Sequence, residues 1–304
     1  MLIAVTGATG FLGRYIVKNL VEQGHRCRCW HRPRSDRSNF EGTDTNIEWT
    51  PGSLEETDGF ENFCRDADAI VHSALYRPAG LGFRAAGREA FIEFVRVNLL
   101  GSLSLIETAR RIEIPRFVFI STCAVHEIIL PDRPLDETHP LWSTSHYGAH
   151  KAAIEQFVHS YGHGEGWPIC AIRPTGIYGT AHPVTNSRWY NIVRQVCRGE
   201  SFHSDRGGKE VHAADVAKAV GILLHADADQ IKGHSFNCYD RYVAEQTVAS
   251  LAREISGSHA EVGGANQGPK NQIDTTKIRR LGMVFGGETR LRQTIERLVA
   301  ASTS

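Results

Sequence analysis

The sequence has no excess of charge, no long apolar run, no clustered cysteines and no internal repeat. Lysine plus arginine equals aspartate plus glutamate, 34 against 34. That balance supplies no general attraction for nucleic acid or for an anionic membrane, so neither is expected as a partner. No stretch approaches the roughly 18 consecutive apolar residues that a membrane-spanning helix needs. MLIAVTG runs from the initial methionine straight into a strand-like pattern, with no charged leader before it. A cytoplasmic protein is expected. The seven cysteines are odd in number and scattered, and only Cys27 and Cys29 lie close. No second close pair completes a zinc site, so reduced, mostly buried thiols are expected.

What the sequence does have is alternation. Its 304 residues suffice for one large domain or two unequal ones. LIAVT, HRCRCW, NIEWT, DAIVHSA, PRFVFIS and WPICAIR read as strands, with helical patterns between most of them, notably over 11–23, 88–111 and 147–161. Strands and helices in this order imply a parallel sheet covered on both faces. Beyond Pro174 the pattern loosens: a helix over 213–226, a strand-like HSFNCY, and helices over 244–256 and 288–301. That second region looks too broken to fold alone and is expected to cap the first.

The first strand runs into TGATGFLG, residues 6–13, which opens an amphipathic helix. Strand, glycines, helix is the context that makes a glycine motif meaningful. Gly7 allows the tight turn, Gly10 lets a pyrophosphate approach the helix N-terminus, and Gly13 lets helix and strand pack closely. The spacing is GxxGxxG rather than the usual GxGxxG. Roughly 20 residues on, a site that prefers NAD carries an acid for the ribose hydroxyls. Here WHRPRS places Arg32, Arg34 and Ser35 instead. A guanidinium there suits a 2′-phosphate, so NADP is expected over NAD; a solvated basic loop is the alternative.

A second stretch, HYGAHK at 146–151, sets Tyr147 four residues before Lys151 and His146 four before His150. On a helix each pair shares a face. From the residues alone this is an activated tyrosine, a metal site or plain surface. The histidines lack the intervening glutamate of a metalloprotease helix, as do His159 and His163, and no motif places a third ligand. No metal is expected.

With these residues in view, the chain resembles the extended short-chain dehydrogenase/reductase family, the NAD(P)-dependent epimerase/dehydratase group, over nearly its whole length. TGATGFLG resembles the family's cofactor turn, FVFISTCAV at 117–125 the strand that delivers an active-site hydroxyl, and YGAHKAAIE at 147–155 its YGxSKxxxE helix. RPTGIYG at 173–179, VHAADVAKAV at 211–220 and DTTKIRRLG at 274–282 resemble later landmarks.

The resemblance implies a doubly wound parallel sheet (Rossmann fold) with a smaller C-terminal substrate-binding region. The dinucleotide domain would be 1–174 plus 212–234, the cap 175–211 plus 235–304, and the active site would lie where they meet. It implies catalysis by Thr122, Tyr147 and Lys151. Free tyrosine has a pKa of roughly 10, and a neighbouring ammonium favours the phenolate. Tyr147 would then exchange a proton with substrate as hydride moves. Lys151 would also hold the nicotinamide ribose, and Thr122 would bond the reacting oxygen. Gly7, Gly10, Phe11, Leu12, Gly13, Arg32, Arg34, Ser53, Leu54, Ala74, Asn98 and Pro174 would line the cofactor site. Asn98 matches a backbone-supporting asparagine, whereas His72 reads better as a satisfied core histidine.

Some positions depart from the family pattern. Ser53 replaces an aspartate at the adenine, His150 a serine, and His126-Glu127 the usual Tyr-Gly, which reshapes the pocket mouth. Gly176 replaces an asparagine common in nucleotide-sugar members. Arg84, Arg88, Arg188 and Lys209 could meet a phosphate or face water. The expected function is therefore hydride transfer on a sugar or nucleotide sugar by a homodimer whose partner is a small-molecule substrate. A carbonyl reductase of dihydroflavonol-reductase type is the alternative, and a non-catalytic dinucleotide sensor a third.

Overall fold

The computed structural model describes residues 1–40, 42, 44–78 and 81–303. In chain order the first half comprises β1 (Leu2–Thr6), α1 (Phe11–Glu22), β2 (Arg26–His31), β3 (Ile47–Pro51), α2 (Phe60–Cys64) and β4 (Ala69–His72). Next come α3 (Phe83–Glu89), α4 (Phe91–Phe94), a π-helical turn (Val95–Leu100), α5 (Gly101–Arg111), β5 (Phe117–Ile120), α6 (His146–His159) and β6 (Ile169–Pro174). The remainder holds β7 (Gly176–Tyr178), α7 (Tyr190–Cys197), β8 (Phe202–His203), β9 (Gly207–His212), α8 (Ala213–His225) and α9 (Ala228–Ile231). It ends with β10 (Ser235–Cys238), β11 (Arg241–Ala244), α10 (Glu245–Ser256), β12 (Val262–Gly263), α11 (Thr276–Arg280) and α12 (Gly287–Thr303). No helix among the described residues is long and apolar enough to cross a membrane.

The chain divides into two compact units. The larger, Met1–Pro174 with Ala217–Cys238 and Ile273–Met283, is built on a seven-stranded sheet in the order β3-β2-β1-β4-β5-β6-β10. Every pairing in it is parallel. β4, β5 and β6 are buried along their full length, as strands covered on both faces must be. Leu105 and Ile106 of α5 and Ile154 and Val158 of α6 pack against Phe117, Phe119 and Ile169 to form the core. The strand order reverses between β1 and β4, the place where an open sheet of this kind leaves a crevice at its carboxyl edge.

The expected partition gave residues 235–238 to the cap. The strand belongs instead to the central sheet: all four residues of β10 are buried, and Ser235 to Cys238 pair with Ala171 to Pro174. Ile273–Met283 joins the same unit. The helix expected over 88–111 starts at Phe83 and is interrupted at Ala90, whose φ of −124° and ψ of 46° are not helical. The π turn after it carries Asn98, which is 1% exposed; the wider turn is one way a helix aims a polar side chain inward.

The smaller unit, Thr175–Val216 with Tyr239–Gln272 and Val284–Ser304, has a core of its own. Val193 and Val196 of α7, Val248 and Ala252 of α10, and Ile295 and Leu298 of α12 pack together. A three-stranded sheet, β11-β9-β7, accompanies them. α7 escaped the sequence pattern because its eight residues bury only Tyr190, Val193 and Val196.

Burial in the larger unit has a consequence for acid stability. His72, His126 and His150 are 0%, 6% and 4% exposed, and burial pushes their pKa values down from 6.5 to about 3, about 4 and about 3. The unfolded chain protonates these rings as pH falls through 6.5, whereas the folded chain keeps them neutral until about 4. Their contribution is therefore complete above 6.5 and lost on acidification, at up to about 1.4 kcal/mol per pH unit for each ring. Denaturant unfolding at pH 7 and pH 5 should show a loss of a few kcal/mol; equal stability at both would refute this account.

Candidate active site

Gly7 has a φ of +71°, a conformation that side chains resist. A Cβ there would stand 2.8 Å from the Ala74 nitrogen, so the turn presses against the segment after β4. A Cβ on Gly13 would come within 2.0 Å of the Gly7 carbonyl oxygen. Gly10 is different: it caps α1 without a side-chain bond, and its added Cβ would meet only the Gly7 carbonyl, at 3.2 Å. Phe11, Leu12 and Gly13 thus form a first turn that no side chain caps, with no acidic residue in it. Free N–H groups at a bare helix start fit a pyrophosphate.

Arg32 and Arg34 are exposed just past β2, in a turn closed by the Ser35 N–H on the Arg32 carbonyl at 2.9 Å. The loop beyond is held by Arg14, a residue that sequence reasoning passed over. It is 6% exposed, donates to the carbonyls of Thr9, Ser38 and Asp36, and stacks 5.0 Å from the Phe40 ring. An arginine in the first turn opposes the helix dipole, and that mismatch was the available signal.

Thr122 stands two residues past β5. Its Oγ1 accepts from the Ala124 N–H at 3.1 Å, and its side chain lies beside the Tyr147 phenol, whose pKa it lowers. Tyr147 and Lys151 occupy the first two turns of α6, whose N-cap Ser145 accepts from the Gly148 N–H at 3.2 Å. Burial pushes the Tyr147 phenol up and Thr122 opposes it, so in the protein alone the phenol is protonated at neutral pH. Lys151 is 4% exposed; its Nζ donates to the Ile120 carbonyl at 2.7 Å and lies 4.4 Å from the Phe119 ring. Burial lowers its pKa to about 7 against the pull of Glu155. An ammonium has three donors, so others remain for a ribose hydroxyl.

The two histidines interleaved with this pair part company. His146 is exposed beside Phe91, whereas His150 is buried edge-on to Phe94, 4.9 Å away, and 5.5 Å from Tyr147. Among the described residues no group of three His, Cys, Asp or Glu side chains is placed to hold a metal ion.

The other expected residues lie along the same edge of the sheet. The Ala74 N–H donates to Thr6 Oγ1 at 3.1 Å. Asn98 takes the Tyr76 N–H at 2.7 Å and returns a bond to the Tyr76 carbonyl at 2.9 Å, fixing the segment after β4. Ser53, half-buried past β3, accepts from the Glu55 N–H at 3.3 Å, and Leu54 packs into the core beneath it. Pro174 ends β6. His72 is fully buried, with one ring nitrogen 2.7 Å from Thr6 Oγ1 and the other 2.8 Å from Ser102 Oγ, a core histidine. The glycine turn, Arg32, Arg34, Ser53, Ala74, Thr122 and Pro174 thus follow the ends of β1 to β6, while Tyr147 and Lys151 lie on α6 and Asn98 on the π turn.

Beneath them lies an ion pair that the motif contained without a role. Glu155 and Arg173 are both 0% exposed and meet at 2.5 Å. Ser121 and Ser235 donate to the same carboxylate, and Arg173 Nη1 lies 3.0 Å from His126 Nε2. Burial alone would raise the Glu155 carboxyl; Arg173 and the two hydroxyls outweigh it and hold it low. A glutamate one turn after Lys151 on the buried face was the sequence signal.

In the smaller unit, Gly176 of β7 pairs with Glu210 of β9. Glu210 is 1% exposed; Oε1 meets Arg188 at 2.5 Å and Oε2 has no hydrogen-bond partner. Burial raises its pKa to about 7. A Cβ on Gly176 would fall 2.4 Å from Oε2, so a side chain there would collide with the carboxylate. Arg88 is exposed, Lys209 half-buried, and the Arg84 side chain lies outside the described residues.

The model of the NAD dependent epimerase/dehydratase family matches residues 3–238. The chain is 28% identical over 265 residues to a 4-hydroxy-2-methyl-3-oxo-4-farnesyl-3,4-dihydroquinoline-1-oxide ketoreductase of Stigmatella aurantiaca, covering 85% of this chain and 74% of that one. It is 27% identical over 266 residues to the dTDP-D-glucose 4,6-dehydratase of Homo sapiens, covering 83% and 72%. Among solved structures it resembles the UDP-glucuronic acid 4-epimerase of Bacillus cereus in complex with UDP-glucuronic acid and NAD. The TM-score is 0.80 at 19% identity, over 100% of this chain and 99% of that one. The UDP-glucose 4-epimerase of Thermotoga maritima gives 0.79 at 22% identity, over 99% and 98%. At such identities the two structures bear on the fold.

Proposed function

The chain belongs to the NAD dependent epimerase/dehydratase family, and from that premise we propose an NADP(H)-dependent oxidoreductase acting at a secondary alcohol or ketone. The family and these relatives make it an enzyme. The observation that carries the mechanism is the Thr122 side chain beside the Tyr147 phenol, with Lys151 buried one turn along. The dinucleotide, when bound, supplies or accepts the hydride. Tyr147 gives its proton to a ketone oxygen, or takes one from an alcohol, while Thr122 holds that oxygen. The protonated phenol suits the reductive direction. For the reverse, a charged Lys151 favours the phenolate, and a pKa of about 7 lets it carry that charge part of the time. The pyrophosphate is assigned to the start of α1, Arg32 and Arg34 to a 2′-phosphate, and the smaller unit to substrate recognition.

The leading substrate class is a sugar or nucleotide sugar, supported by the Asn98 and Thr122–Tyr147–Lys151 frame. A second reading, reduction of a non-sugar ketone, is favoured by the Glu210 carboxylate filling the space beside Gly176.

Because the Arg32 and Arg34 side chains stand exposed where an acid would read NAD, NADPH should bind at least tenfold tighter than NADH, about 1.4 kcal/mol. Fluorescence titration of both decides it; equal or tighter NADH binding sinks the assignment. Tyr147→Phe should cut turnover by at least about 100-fold, at the low end for a general acid–base group, with cofactor affinity nearly intact. A variant near the wild-type rate would remove Tyr147 from the mechanism. In the same assays absorbance at 340 nm separates substrates: an epimerase reoxidises its own intermediate and shows no net change, whereas a reductase consumes NADPH. Turnover confined to non-sugar carbonyls would favour the second reading.

We propose a homodimer through the face that carries Phe91, Ile92, Leu100 and Phe157, which are 44%, 75%, 54% and 43% exposed. Apolar side chains grouped on neighbouring helices call for a partner. Light scattering at micromolar concentration should give twice the chain mass; a monomer counts against it.

A further inference from the structure

Glu127 stands where the family resemblance leads one to expect a glycine, and its carboxylate is not idle. Oε2 accepts from the Thr144 N–H at 2.5 Å, the Thr144 hydroxyl at 3.0 Å, the Ser145 N–H at 2.8 Å and the Ser145 hydroxyl at 3.1 Å. Ser145 is the N-cap of α6, and its Oγ takes the Gly148 N–H directly after Tyr147. Glu127 follows the short turn that Thr122 caps, and its own N–H, like that of Ile128, donates to the Trp142 carbonyl at 3.0 Å. On the same seam, a Cβ on Gly148 would fall 2.4 Å from the Ala124 carbonyl oxygen. The segment bearing Thr122 and the helix bearing Tyr147 are thus laced together, and the Glu127 carboxylate is the charged tie at the start of that helix. Hydrogen bonds to a charged acceptor are the stronger kind, and a negative charge ahead of a helix is favoured by its dipole.

We propose that Glu127 is a positioning residue: through the Ser145 cap it sets where the Tyr147 hydroxyl stands relative to that of Thr122. The inference rests on the catalytic reading of Tyr147 above. A misplacement of the two hydroxyls by a fraction of an ångström changes the alignment of the proton transfer and leaves the dinucleotide turn, which lies on other strands, untouched.

The test uses the full chain with Glu127→Ala, Glu127→Gln and Tyr147→Phe. It combines NADPH titration, turnover of the carbonyl that the wild type accepts, and amide hydrogen exchange. Ultraviolet titration of the Tyr147 phenol, taken as the difference from Tyr147→Phe, adds a readout that needs no substrate. Glu127→Ala should lower kcat at least tenfold with NADPH affinity changed less than threefold. Exchange should rise at Thr144, Ser145 and Gly148, and the phenol titration should shift from its wild-type position. Glu127→Gln, which keeps one acceptor oxygen, should fall between the two. An unchanged kcat and phenol titration would overturn the proposal, as would loss of kcat together with NADPH affinity and chain-wide exchange, which marks a structural role only. Should Tyr147→Phe keep the wild-type rate, the catalytic reading fails; should it be inactive while Glu127→Ala is unimpaired, only the present inference fails.

Discussion

The candidate-site edge of the larger unit depends on one buried ion pair. Taking a guanidinium and a carboxylate out of water costs several kcal/mol per ion unless bonds replace the lost hydration. Arg173 and Glu155 meet that cost together with the hydroxyls of Ser121 and Ser235 and with His126. Those partners come from β6, α6, the end of β5, β10 and the following loop, so satisfying one pair of charges fixes five segments at once. Ser121 adjoins Thr122, and Glu155 is one turn from Lys151. The same bonds that make the pair tolerable therefore hold the catalytic candidates. His126 must accept from Arg173 to serve here, which requires a neutral ring, and burial beside that guanidinium keeps it so.

Lys151 shows the other side of that arrangement. Glu155 lies near it, yet its carboxylate is committed to Arg173 and two serines, so the ammonium keeps only part of that attraction. Burial prevails and the amine sits at about 7. A lysine balanced between charge states responds to what is placed next to it: an electron-rich hydroxyl or phenolate draws the proton back, a cation expels it. α6 thus supplies a charge that can be switched rather than a fixed one, on a residue anchored to the sheet by the Ile120 carbonyl and the Phe119 ring.

The central sheet was legible because β1, β4, β5 and β6 are largely apolar, buried runs set between helical patterns. The glycine turn was legible because Gly7 and Gly13 have no alternative residue: backbone atoms crowd both positions. β10 was misassigned, since SFNC is short and carries a serine and an asparagine whose burial depends on partners far away in sequence, Glu155 and the Asp274 carbonyl. The same limit hid the roles of Arg14, Glu127 and Glu210: each charge meets partners 17 or more residues distant, and local periodicity carries no information about those. Ala90 and the π turn were hidden for a different reason: an apolar stripe survives a change in helical pitch.

The chemistry of the smaller unit follows from a similar exchange of neighbours. With glycine at 176, the adjacent strand brings a carboxylate into the space a side chain would fill, and Arg188 arrives to meet one of its oxygens. The second oxygen is left without a partner, and burial raises the group until it is close to half protonated at neutral pH. A carboxyl poised in this way can accept a hydrogen bond or donate one, so the β7–β9 pair holds an adaptable group in the space that Gly176 leaves open.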